Sequence, residues 1–254
     1  MHFDPGPPPR FADIFSRMPD LSPIRGALWF DWGPIFYRGR LDGSARLLCI
    51  ASDPGPTERV AGRTLVGDAG QRVQGFVRKL GLSRSYLCLN AFPYALFPSR
   101  ASQAPSLLAL DPFRTWRNDL FDAAAEGVEA VVAFGGVAQV AVAQWPGAAG
   151  HTVISLPHPS SRNAATLVTA WRGGVTNLRT KVAPDPGTPR AANYGATFRE
   201  KDYAPIPAAD LPFGVPSWLG NDAWSRAGWP RRNNSVRRPV PDDRHTLIWV
   251  APRT

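Results

Sequence analysis

Residues 46–58 read RLLCIASDPGPTE, an apolar run that stops at an acid held before a Pro-Gly turn. A continuous apolar stretch of this length, closed by turn residues, is what a strand buried on both faces of a parallel sheet looks like. Three more stretches have the same character: YLCLNAF (86–92), AVVAFG (130–135) and TVISLPH (152–158). Between them lie segments of helical period. GDAGQRVQGFVRKLG (67–81) places Val73, Phe76, Val77 and Leu80 on one face. DPFRTWRNDLFDAAAEG (111–127) offers Asp111 as N-cap and Pro112 at the first helical position. GVAQVAVAQW (136–145) and SSRNAATLVTAWRGGVTNLRT (160–180) complete the set. Strands alternating with helices predict an α/β fold, a three-layer sandwich with a central, mostly parallel, four-stranded sheet flanked by helices.

Outside this rhythm the sequence predicts three regions. Residues 1–26 form an irregular, proline-containing lead-in, residues 27–182 the α/β domain, and residues 183–254 a Pro/Gly-rich, basic C-terminal extension packed on the domain. The aromatic segment 27–41, broken by Gly-Pro, reads as a packing segment or short helix over the core, and TLIWVAP near the C-terminus as one more short strand.

The 254 residues carry 44% hydrophobic side chains but no stretch long enough to cross a bilayer, so no membrane partner is expected. The first fifteen residues lack the apolar core of a secretory signal, which predicts a cytoplasmic protein. The 2 cysteines, Cys49 and Cys88, sit inside apolar runs and read as buried reduced thiols. They are too few for a four-cysteine iron–sulfur cluster or zinc site, so neither metal nor cluster is expected. The formal charge of +9 is carried almost wholly by Arg, which favours an anionic partner, although an Arg-, Ala- and Pro-rich composition accounts for part of it.

Ligands of open parallel sheets bind beyond the carboxyl ends of the strands. At those ends the four predicted strands carry Ser52-Asp53-Pro54-Gly55, Asn90-Ala91, Gly135-Gly136 and His158-Pro159-Ser160. An acid, an amide, a bare backbone turn and an imidazole therefore share one rim. Each alone is an ordinary turn or cap. Their recurrence at equivalent strand ends points to a site.

ASDPGP, LCLNAF and LPHPSSRN, in that order, resemble the uracil-DNA glycosylase superfamily, whose members carry GQDPYH, an Asn after a middle strand, and HPSPLS. GRTLVGDAG (62–70) resembles the GRPFVGPAG stretch of the iron–sulfur branch, without the cluster cysteines. The combination is similar to a newer, cluster-free bacterial class with an acid in the first motif. The resemblance covers residues 27–180, and ADLPFGVPSWLG (209–220) is also similar to that class.

The resemblance implies roles for individual residues. Asp53 would orient the attacking water and stabilise an oxocarbenium-like sugar. Asn90 would read the pyrimidine edge, and His158 would stabilise the departing base. Ser52, Gly55 and Leu65 fall at substrate-binding positions, and Ser160, Ser161, Arg162 and Gly135 at DNA-binding ones. Leu65 replaces a stacking Phe, Gly55 a pocket-closing Tyr and Ser52 a Gln; no duplex-wedging Leu is evident in SSRN. With a bare wall at Gly55, 5-substituted uracils and some deaminated purines become candidate substrates. His158 is expected to be neutral because a helix N-terminus at Ser160 or Ser161 disfavours imidazolium.

The implied activity is hydrolysis of the N-glycosidic bond of uracil in DNA, initiating base excision repair. The implied partner is DNA containing uracil or a related damaged base; no cofactor is implied, and a homodimer is left open. The alternative is a catalytically weak, single-stranded or abasic DNA-binding member of the superfamily, using the basic tail and Trp218, Trp224 and Trp229. A different hydrolase is remote, because no G-x-S-x-G elbow, P-loop or HExxH is present.

Overall fold

The structure is a computed structural model, described for residues 3–30, 33–161, 163–215 and 219–220. In chain order the strands are β1 (Leu28–Trp29), β2 (Tyr37–Gly39), β3 (Leu47–Ala51), β4 (Tyr86–Asn90), β5 (Ala95–Leu96), β6 (Ala130–Phe134) and β7 (Val153–Leu156). The helices are α1 (Pro9–Ser16), α2 (Pro56–Ala61), α3 (Asp68–Lys79), α4 (Ala104–Leu108), α5 (Phe113–Ala125), α6 (Gly136–Ala143) and α7 (Ala164–Leu178).

All four predicted strands are present, and they pair in parallel in the spatial order β4-β3-β6-β7. A fifth strand, β2, adds antiparallel to β4, so the sheet has five strands rather than four. Alternate side chains divide between two cores, as the pleat requires. Leu48, Ile50, Leu87, Leu89, Val131 and Ala133 face a layer containing α1, α5 and α6. Leu47, Cys49, Tyr86, Cys88, Val132 and Phe134 face α3 and α7. Cys49 and Cys88 are Cα partners across β3 and β4, both free and fully buried.

Several local expectations change. The lead-in is not irregular: α1 buries Phe11, Ile14 and Phe15, an i, i+3, i+4 stripe, against the first core. None of the described residues in 27–41 lies in an α-helix, although Ala27 ends a 3-10 turn. Leu28–Trp29 pairs with Ala95–Leu96, and Tyr37–Gly39 extends the main sheet, because aromatic and β-branched residues interrupted by Gly-Pro suit short strands better than a helix. Helix α5 begins one residue later than expected, with Pro112 at the cap position; Asp111 instead accepts hydrogen bonds from Arg114 and the Thr115 hydroxyl. The strand expected at TLIWVAP, the tryptophans 218, 224 and 229 and the basic stretch 229–239 lie outside the described residues.

Residues 183–211 run back across the α3 side of the sheet, tied down by three carboxylates. Asp185 accepts the backbone N–H groups of Ser83, Arg84 and Ser85; against the effect of burial, hydrogen bonds from the Ser85 side chain, the Arg84 and Ser83 backbone and the Ser83 hydroxyl hold its carboxyl well below the usual range. Asp202 pairs with Lys79 at 2.8 Å. Asp210, fully buried, lies 2.9 Å from the equally buried Arg38 and accepts from the Tyr86 hydroxyl at 2.6 Å and Arg40 at 3.1 Å. Arg38 donates further to Gln74 and to the Thr64 carbonyl.

Removing one partner of a buried ion pair leaves an uncompensated charge, at a cost of about 3–5 kcal/mol. Asp210→Asn keeps the shape and removes the charge. It is expected to lower the urea unfolding free energy by an amount in that range; a loss below about 1 kcal/mol would show that the pair contributes little.

Candidate active site

The parallel register delivers the predicted residues to one edge of the sheet. Ala51 is the Cα partner of Asn90, and Phe134 that of Leu156. Two hydrogen bonds continue the β3–β4 ladder past the strand ends: Ala91 N–H to the Ala51 carbonyl and Phe92 N–H to the Ser52 carbonyl. Ser52 is thus held through its backbone, and Asp53 comes next, at the mouth.

Asp53 is partly exposed, and one carboxylate oxygen accepts the Leu96 N–H at 2.9 Å. Burial pushes its carboxyl up to about 6, and the neighbouring Glu58 adds to the rise, against the Leu96 bond and the Arg59 cation. Arg59 is itself buried, its guanidinium 4.7 Å from the centre of the Trp29 ring.

Asn90 is buried at 7% exposure, and neither its amide nitrogen nor its amide oxygen has a hydrogen-bond partner among the described residues. An orphaned buried amide costs about 1–3 kcal/mol for each group. Such an amide is completed by a ligand or by water.

His158 is fixed from several sides. Its Nδ1 accepts the Ser160 backbone N–H at 3.2 Å and lies 2.7 Å from the Ser160 hydroxyl oxygen. With Nδ1 accepting, the neutral ring carries its proton on Nε2. Burial pushes the imidazole below its ordinary value. The cause expected from the sequence, a helix N-terminus at Ser160 or Ser161, is not the one found: α7 starts at Ala164, capped by Asn163, whose side chain accepts the Thr166 N–H. Ser160 and Ser161 lie in the turn before it, the Ser161 N–H bonding back to the His158 carbonyl. Arg162 lies outside the described residues. Gly135 backs the imidazole: its φ is +88°, and a Cβ there would lie 2.8 Å from the His158 Cβ. Only glycine lets the ring lie this close.

Gly55 is not beside open space. It precedes α2 at the cap position, and a Cβ on it would meet the Glu58 carboxylate at 2.7 Å. The Glu58 carboxylate therefore occupies the space next to Gly55. Its two oxygens accept the N–H groups of Gly55, Val66 and Gly67, joining the turn after β3 to the GRTLVG loop. Leu65, in that loop, is 6% exposed, belongs to the buried cluster of Ala51 and Phe134, and has φ of +51°. A branched residue in the left-handed region is strained. The space for a Cβ on Gly70 is taken by the Leu65 carbonyl, so α3 presses directly on this turn.

Glu58 and Arg59 were not singled out by sequence. The signal for Glu58 was available: an acid three residues after Gly55, with Pro at the first helical position, is half of a capping box. Among the described residues no group of three His, Cys, Asp or Glu could hold a metal ion, and no helix is long and apolar enough to cross a membrane.

A raised carboxyl makes the ionised Asp53 a destabilising element. Folded and unfolded chains are both protonated well below the ordinary value of 3.8, so Asp53→Asn changes little there. As pH rises through about 6 the folded chain must ionise a carboxyl whose surroundings favour its proton, and stability is lost. Asp53→Asn is therefore expected to raise the melting temperature at pH 8 and to leave it nearly unchanged at pH 3.5. A lower melting temperature at pH 8 would contradict the strain assigned to this carboxylate.

Comparison with curated proteins finds no match. Comparison with protein families matches the uracil DNA glycosylase superfamily over residues 38–172, which include Asp53, Asn90 and His158 and run from β2 into α7. That span is more than half of the 254 residues, and the chain belongs to the uracil DNA glycosylase superfamily.

Proposed function

We propose that the protein is a DNA glycosylase that hydrolyses the N-glycosidic bond of uracil in DNA and leaves an abasic site. The observation that carries this reading is the Asn90 amide, buried with both polar atoms unpaired, at a rim that also holds Asp53 and His158. An amide donates to uracil O4 and accepts from N3–H. Cytosine presents the reversed pattern and would leave buried groups unmatched, at about 1–3 kcal/mol each.

Breaking the bond leaves an electron-poor sugar and an anionic base. Ionised Asp53 stabilises the first and orients water towards it. His158, neutral with its proton on Nε2, donates to the base oxygen on which charge collects. A base inside a duplex cannot reach such a rim, so the nucleotide is flipped out or single-stranded. Glu58 beside Gly55 narrows the case for 5-substituted uracils, which remain the comparison that defines the pocket wall.

The test is a panel of single- and double-stranded oligonucleotides carrying uracil, 5-hydroxymethyluracil, hypoxanthine or xanthine, scored for abasic sites. Excision of uracil is expected. Tight binding to abasic or single-stranded DNA with no excision of any base would favour the weak-binder alternative. Asp53→Asn should lower turnover by several orders of magnitude while DNA binding survives, because the charge acts in the transition state. In the wild type, turnover should fall as pH drops through about 6, where Asp53 takes up its proton. Asn90→Asp should erode the preference for uracil over cytosine or abolish activity; unchanged rate and selectivity would place base reading elsewhere.

A further inference from the structure

The carbonyls on either side of His158 are both held by long side chains from α3 and α7, the helices that cover one face of the sheet. Trp171 of α7 donates its indole N–H to the Pro157 carbonyl at 3.0 Å. Arg72 of α3 donates from Nη1 to the Pro159 carbonyl at 2.7 Å. Neither side chain reaches this position alone. The Arg72 Nε donates to the Tyr203 hydroxyl at 2.9 Å, and the guanidinium lies 4.9 Å from the Phe198 ring centre and 5.2 Å from that of Tyr203. Asp68, one turn earlier on α3, is 3.5 Å from Arg72. Trp171 is met edge-on by Tyr194 at 6.0 Å, and Tyr194 stacks on Phe198 at 5.8 Å.

The geometry points to the C-terminal segment 194–203 as a positioning element for His158, acting through Arg72 and Trp171. Tyr194, Phe198 and Tyr203 lie beyond residue 172, where the family match ends, yet they brace the two side chains that fix the turn carrying the imidazole. The segment cannot drift from α3. The space for a Cβ on Gly75 is taken by the Asp202 carbonyl, and Lys79 pairs with Asp202. Arg72 suits the task because its planar fork serves Pro159 and Tyr203 at once while its face lies on the aromatic rings. Lys offers three donors from a single nitrogen but neither the fixed fork nor a planar face to lie on the rings. Arg72 and Tyr203 are positioning residues, since neither touches a reacting atom.

The kinetic arm of the test rests on the proposed glycosylase reading; the spectroscopic arm does not. The full chain is compared with Arg72→Met, Arg72→Lys and Tyr203→Phe, the last removing one hydroxyl and keeping the ring. Imidazole ¹⁵N signals of His158 are expected to report a neutral ring protonated on Nε2 in the wild type, and a mixture of tautomers in Arg72→Met. On a uracil-containing oligonucleotide, Arg72→Met should lose about ten- to a hundredfold in kcat with KM little changed, because a displacement on the order of 1 Å costs about that much. Arg72→Lys should recover part of the loss, and Tyr203→Phe should lose less than Arg72→Met. Unchanged His158 signals and unchanged kcat in a folded Arg72→Met, whatever its melting temperature, would overturn the inference. If Arg72→Met does not fold, the same two readouts unchanged in Tyr203→Phe would overturn it. Altered His158 signals in a protein that excises no base would uphold the positioning role and remove the glycosylase reading.

Discussion

Parallel pairing in register is the constraint on which the site depends. In a parallel sheet every strand ends at the same edge, so the residues just past β3, β4, β6 and β7 are delivered to one place. Ala51 opposite Asn90 puts Asp53 and the amide on neighbouring strands, and Phe134 opposite Leu156 puts Gly135 under His158. A slip of one residue would turn every strand side chain to the other face. It would also move Leu47 and Leu48 between two different cores, so the hydrophobic layers and the site enforce the same register.

The surroundings of the strand ends are less conventional. A carboxylate, Glu58, does the joining between two loops by accepting three backbone N–H groups, and a strained Leu65 sits where α3 presses on the same turn. Opposite, Asp210 and Arg38 neutralise each other in full burial, and the chain after residue 183 supplies the acid. Residues 183–211 are therefore part of the folded unit rather than a covering. Cutting the chain there would leave Arg38 charged and unpaired in the interior.

The rim also holds polar groups that the fold would be more stable without. The Asn90 amide is unpaired, and Asp53 is held in surroundings that favour its proton. Elsewhere in the interior some charged groups are matched more fully: one Asp185 oxygen by three backbone donors, and Arg38 by Asp210, Gln74 and Thr64. Free energy that is given up at one edge and recovered at another is what a preformed ligand site requires.

The amino-acid sequence by itself determined the parallel sheet and the rim. Apolar runs ending at Asp53, Asn90, Gly135 and His158 carry a period and a terminus, and both are local signals that need no knowledge of the rest of the chain. The helical stripe of α1, with Phe11, Ile14 and Phe15, was written there as well, obscured by its prolines. Only the tertiary structure decided that Gly55 faces Glu58, that burial rather than a helix end lowers the His158 imidazole, and that Arg72 holds Pro159 under the rings of Phe198 and Tyr203. These contacts join residues distant in sequence, or depend on where a helix begins to within a few residues. Neither hydrophobic period nor turn chemistry encodes such a distance; it is set when the two cores close on the sheet.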